Sequence, residues 1–177
     1  MTRSWVIADT HFGHWGVCKF TRSDGVTPLR PWDNPTDMDT AIIRNWNELV
    51  RPEDRVYILG DLCINRKAIQ TVGRCNGRKV LVKGNHDIFK LKDYLPFFDD
   101  IRAYVTSPKQ YIMSHIPISE ASLGRWQINI HGHTHSNSVL DKFGNPDSRY
   151  VCVSVEQTEF KPVELTELLN RCLTKDV

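Results

Sequence analysis

Apolar residues along this chain gather in short runs that stop at side chains able to bind a metal. Trp5-Val6-Ile7-Ala8 ends at Asp9 and continues to His11. Val56-Tyr57-Ile58-Leu59 ends at Gly60-Asp61, and Val80-Leu81-Val82 runs into Lys83-Gly84-Asn85-His86-Asp87. Tyr111-Ile112-Met113-Ser114 ends at His115, and Ile128-Asn129-Ile130 ends at His131-Gly132-His133-Thr134-His135. Short apolar runs bounded by glycine and polar residues predict buried strands. Strand C-termini in layered α/β folds gather along one edge, where ligands sit. The pattern therefore predicts a sheet with a polynuclear metal site along that edge. Of the seven histidines, only His14 lies outside it.

Between the runs, turn chemistry and helical spacing predict the connections. Phe12 to Pro35 carries Gly13, Gly16, Gly25, Pro28 and Pro31 and reads as a long loop, functional or mobile. A helix capped by Thr36 or Asp37 is expected to run through Val50, with Met38, Ile42, Trp46 and Leu49 on one face. Further helices are expected over Arg66–Gly73, over Ile88–Tyr94 with Pro96 ending it, and over Val163–Leu173 with Pro162 at its first turn. Ile101–Val105 and Tyr111–Ser114 read as strands paired around Ser107-Pro108. Strands near Trp126–Ile130 and Tyr150–Val155 flank a second loop, Ser136 to Arg149. No repeat or linker interrupts residues 1–177, which read as one domain.

Composition narrows the class without choosing it. Apolar content of 40% and charged content of 25% suit a globular chain, and a net charge of +2 gives no general argument for nucleic acid or membrane as partner. The five cysteines are odd in number and none is spaced C-x-x-C, so they read as small buried hydrophobes in a reducing compartment. The first apolar run is too short for a signal peptide, and no stretch approaches the roughly 20 residues of a membrane span. A cytoplasmic location is expected. The sequence specifies no oligomeric state.

Asp9-x-His11, Gly60-Asp61, Gly84-Asn85-His86-Asp87, His115 and Gly132-His133-Thr134-His135 occur in the order found in the calcineurin-like metallophosphoesterases, which the chain resembles from residue 9 to 135. Any one piece is common by chance; the ordered set is specific. The resemblance implies an α/β fold of two packed mixed sheets flanked by helices, a metallophosphoesterase-type α/β/β/α sandwich. It implies that Asp9, His11 and His135 hold a first metal, that Asn85, His115 and His133 hold a second, and that Asp61 bridges them. A water or hydroxide shared by the ions would attack phosphorus. His86 would donate a proton to the leaving oxygen or stabilise the transition state. Imidazoles, carboxylates and an amide oxygen suit manganese, iron or zinc better than calcium; two manganese ions are expected, with iron, zinc or nickel as alternatives. His131 is expected to alternate away from His133 and His135 and to pack. His14 reads equally as a rim residue or a surface histidine.

One departure bears on the substrate. Protein phosphatases of this superfamily carry Asp and Arg three and four positions after the bridging aspartate; here stand Ile64 and Asn65, with Arg66 one position late. A phosphoprotein substrate is disfavoured, and any partner for His86 must come from elsewhere. The chain has no spare length for a cap, which suggests an open site like those of the small phosphodiesterases. The expected substrate is a small phosphodiester, nucleotide-like or cyclic. A phosphomonoesterase or a nuclease remains an alternative, as does a metal-stabilised binding module without activity. Trp15, Lys19, Phe20, Arg22, Arg30 and Trp32 could hold a phosphate and stack on a base, or the loop could be solvated and pinned by its aromatics. The pinned loop is the favoured reading. His131-x-His133-x-His135 is also similar to the H-x-H-x-D of metallo-β-lactamase-like hydrolases, but that motif needs Asp at His135 and a further His at Ser136.

Overall fold

A computed structural model describes residues 1–173. Four parallel strands make up most of the first sheet: β1 (Ser4–Ile7), β2 (Arg55–Ile58), β3 (Arg78–Val82) and, at one edge, β4 (Asp100–Arg102). The second sheet joins β5 (Val105–Ser107), β6 (Tyr111–Ser114), β7 (Ile128–His131) and β8 (Tyr150–Cys152), in that order. There β5 runs antiparallel to β6, while β6, β7 and β8 are parallel. Both sheets are thus mixed once β9 (Val163–Glu164) pairs antiparallel with β1.

Period-two alternation explains the layering. Trp5 and Ile7 of β1, with Val56, Ile58 and Leu81, enter one apolar cluster against α1 (Pro35–Leu49), whose Met38, Ile42, Ile43 and Trp46 are buried. Val6, Ala8, Leu59 and Val82 point the other way and meet Met113, Ile128 and Ile130 of the second sheet. Strands buried on both faces read as unbroken apolar runs. The two sheets are also stitched where the chain leaves β1: the Ala8 N–H donates to Val153 O (3.0 Å) and the Val155 N–H to Ala8 O (3.1 Å).

Several boundaries differ from the sequence expectations. Asn34 caps α1 by accepting from the Asp37 N–H, and Pro35 takes the first helical position, where a missing N–H costs nothing. Residues 66–74 wind as a 3-10 helix instead of an α-helix; β-branched Ile69, Thr71 and Val72 and then Gly73 all weaken α-helix propensity. Only α2 (Leu91–Tyr94) forms where a helix from Ile88 was expected, because Ile88 to Lys90 are used in turning away from His86. The run Ile101–Val105 divides between sheets, its first part pairing with β3 and Val105 with β6. A short α3 spans Glu120–Leu123, where the sequence pattern predicts no element. Strand Trp126–Ile130 is shifted to Ile128–His131, and β8 stops at Cys152, where the chain bends to bridge Ala8. Pro162 precedes an edge strand, not a helix: Val163 and Glu164 cover the open side of β1, and α4 (Leu165–Leu173) follows.

Phe12 to Asn34 is irregular apart from one 3-10 turn at Gly16–Cys18 and isolated bridges. Its anchoring is mixed. Phe12 is buried and Trp32 packs on Phe160, yet Trp15 and Phe20 stay more than half exposed, and it is Arg30 that plunges inward. Cys18, Cys63 and Cys75 are buried thiols, as expected. Among the described residues no helix is long and apolar enough to cross a membrane.

Candidate metal centre

The ends of β1, β2, β3, β6 and β7 bring the motif residues to one edge. Asp9, His11 and His135 offer ligand atoms within 4.8 Å of one another, and so do Asp61, His115 and His133. Five of these six, Asp9, His11, Asp61, His133 and His135, have positive φ, between 48° and 70°. Left-handed backbone is costly for a side chain other than glycine, and such strain concentrates at functional sites.

Asp61 stands between the groups. Its Oδ2 lies 3.8 Å from His11 Nε2 and 3.4 Å from His115 Nε2, while its Oδ1 accepts from the His86 N–H at 2.9 Å. Asn85 Oδ1 comes within 2.9 Å of His115 Nε2, beside the second group. Two ligands of one ion at metal distances near ~2.1 Å stand about 3 Å apart, so this pair is correctly spaced for a shared cation. His115 Nδ1 lies 2.8 Å from Leu59 O, which can only accept; the proton is therefore on Nδ1 and Nε2 is left to ligate. His135 Nδ1 likewise donates to Glu156 Oε1 at 3.0 Å. Gly132 makes the close approach of the first and last motifs feasible: a Cβ there would lie 2.6 Å from Asp9 Oδ2.

Unpaired buried atoms show that cations fit. Asp9 Oδ2 accepts from the His133 N–H (2.8 Å) and the Ser154 hydroxyl (2.6 Å), but Asp9 Oδ1 has no partner. Both ring nitrogens of buried His11 are also without one. A fold that hides three such atoms at one edge has left them for something that binds there. One of the two His11 nitrogens carries the ring proton and the other is free to ligate, so an imidazole nitrogen and a carboxylate oxygen face the site, donors that suit a divalent transition metal.

Burial, unopposed by a full set of hydrogen bonds, pushes the Asp9 carboxyl up to about 6. Burial acts on Asp61 too, but the hydrogen bond and charge of His115 and the His86 amide outweigh it and hold that carboxyl down to about 2. Burial, then the charge of Arg30, lowers His11 well below its ordinary value and keeps it neutral, the form that ligates. His115 and His135 are raised despite burial, by Asp61 and by Glu156 respectively.

His86 lies beside the groups, its Nε2 4.0 Å from Asp61 Oδ2 and its side chain 44% exposed. The neighbouring Asp87 has a different job. Its buried carboxylate accepts from the N–H groups of Asp61 (2.8 Å), Leu62 (3.1 Å) and Gly84 (2.8 Å), clamping the loop after β2 to the loop after β3. Arg66 is engaged by Asp93, away from the site. His131 is fully buried, with Nδ1 at 2.7 Å from Gly132 O, and belongs to neither ligand group. His14 reaches the rim: its ring centroid stands 5.4 Å from that of His11. Glu156, Ser154 and the inward turn of Arg30 had no sequence signal, because their partners are remote along the chain.

The model of the calcineurin-like phosphoesterase family matches residues 2–157. The uncharacterized protein MJ1445 of Methanocaldococcus jannaschii is 35% identical over 170 residues, covering 93% of this chain and 88% of that protein. The Gene 66 protein of Mycobacterium phage D29 is 26% identical over 203 residues, covering 96% and 97%. Among solved structures, the protein of unknown function AQ665 from Aquifex aeolicus aligns with a TM-score of 0.64 and 28% identity, covering 95% of this chain and 98% of that one.

Proposed function

The chain belongs to the calcineurin-like phosphoesterase family, and from that premise we propose that it hydrolyses a phosphodiester, nucleotide-like or cyclic, with two divalent ions, manganese foremost. The observation that carries this reading is the pair of adjacent ligand groups, with Asp61 of the second 3.8 Å from His11 of the first and with Asp9 Oδ1 and the His11 ring buried and unpaired. Asp9, His11 and His135 would hold one ion and Asn85, His115 and His133 the other, with Asp61 common to both. When bound, the ions supply Lewis acidity toward phosphoryl oxygens and a water of lowered pKa as nucleophile. His86, on the open side, donates a proton to the departing oxygen or stabilises the charge forming there. Its exposure leaves room for the second ester arm of a diester.

A diester is favoured over a monoester by the state of Arg30 and Arg66. Arg66 is held by Asp93, and Arg30 is buried against Glu156. A monoester dianion gains more from a guanidinium than a diester monoanion does, and these two are committed elsewhere.

The test is hydrolysis of bis-p-nitrophenyl phosphate by chelator-stripped protein, with and without added Mn²⁺. Activity restored by the metal supports the proposal. A folded protein that cleaves only p-nitrophenyl phosphate refutes the diester preference; one that binds ions and cleaves neither moves the binding-module reading to the front.

A further inference from the structure

Arg30 and Glu156 meet beneath the first ligand group without belonging to it. Arg30 is 2% exposed and the Glu156 side chain 0%. Arg30 Nε and Nη2 lie 2.8 and 2.7 Å from Glu156 Oε1, the oxygen that also accepts from His135 Nδ1. The rest of the guanidinium is also engaged: Nη1 donates to Thr10 O (2.8 Å) and Met38 Sδ (3.1 Å), and Nη2 to Asp9 O (2.6 Å). A buried ion pair gains little net stability over an apolar pair, so its retention calls for another use. Its position supplies one. It joins the strand end carrying Asp9 to the loop carrying His135 through a single carboxylate. In the second group, by contrast, His115 Nδ1 faces a neutral backbone carbonyl, Leu59 O.

We propose that Glu156 is the positioning residue of the first metal site and Arg30 its clamp, so that His135 is backed at Nδ1 by a carboxylate that His115 lacks. A carboxylate on Nδ1–H fixes the tautomer that presents Nε2 and makes that nitrogen a stronger donor. Arg30 offsets the carboxylate's charge and fixes the backbone at Asp9 and Thr10. The long loop before α1 thereby acquires a role: it delivers Arg30. This inference rests on the dinuclear reading above.

Mn²⁺ titration of the metal-free protein, with free Mn²⁺ followed by electron paramagnetic resonance, tests both separately. The wild type should bind two ions. Glu156→Gln, nearly isosteric, should weaken one of them by about 10–100-fold and leave the other unchanged. His135→Ala should weaken the same one. Two unchanged affinities in folded Glu156→Gln, or equal weakening of both, would overturn the proposal. Fewer than two ions in the wild type would instead overturn the dinuclear reading, and the proposal with it. If Glu156→Gln does not fold, the ¹⁵N imidazole spectrum of the Zn²⁺-loaded wild type decides. A proton on His135 Nδ1 with Zn²⁺ on Nε2 supports the proposal, and the reverse arrangement overturns it.

Discussion

Replacing Gly84 by alanine should disable the centre without replacing a ligand. A Cβ at Gly84 would lie 2.2 Å from Asp61 Oδ1 and 2.5 Å from Asp61 N. The first distance is roughly 1 Å inside ordinary contact. Asp61 cannot swing clear, because the second clash is with its own backbone, which Asp87 holds at 2.8 Å. Gly84 cannot retreat either, since its N–H donates to the same Asp87 oxygen. Overpacking of this kind costs about 1–3 kcal/mol. A catalytic constellation tolerates about 0.5 Å of displacement, and an error near 1 Å can cost on the order of 10²-fold in rate. Urea unfolding of the metal-free protein, Mn²⁺ titration and turnover of bis-p-nitrophenyl phosphate should therefore all register the change. Gly124→Ala is the control: nothing stands within 4 Å of that Cβ and the backbone φ is −56°, so stability should change by less than about 0.5 kcal/mol. Gly84→Ala with wild-type stability and wild-type affinity for both ions would refute the reasoning.

Three further outcomes are expected. Asp61→Asn should weaken both ions together, since one carboxylate faces both groups; calorimetric titration showing loss of only one would contradict that placement. His86→Ala should keep both ions and lose about 10²–10⁴-fold in turnover, and full activity would remove its assigned role. Asp9→Asn should stabilise the metal-free protein at pH 7.5 while weakening the first ion. The sign follows from a folded carboxyl pushed up from 3.8 to about 6: as pH rises through that window the folded state must give up a proton the unfolded state has already lost, so stability falls. At 1.36 kcal/mol per pH unit the full effect is about 3 kcal/mol. The amide's unpaired nitrogen at Oδ1 leaves a net gain of about 1–2 kcal/mol. Urea unfolding of the stripped variant at pH 7.5 and pH 4 should show the gain only at the higher pH.

The strand ends were readable because two signals coincide there: an apolar run stops and a ligand-type residue follows. Asp9, Asp61, Asn85, His115, His133 and His135 therefore emerged with their elements. What failed to emerge depends on contacts that local pattern does not encode. Val163 looks like a helix start after Pro162 until β1 is seen to need an edge partner. Ile101–Val105 looks like one strand until its halves join different sheets. Arg30 reads as one of several loop cations, yet it binds a carboxylate 126 positions away. Asp87 is adjacent to His86 in sequence, which establishes no contact, and only the folded backbone shows it gripping three amides.

The stitch at Ala8 has a kinetic consequence. The amides of Ala8 and Val155 tie the two sheets at the edge where the ligands emerge, so neither sheet can lift there without breaking both bonds. Slow breathing of the molecule must then begin at the far end of the sandwich, among the short outer strands. In deuterated water, these two amides should exchange only through global opening, while those of β5 exchange through smaller, local excursions that never disturb the relative placement of the ligand groups.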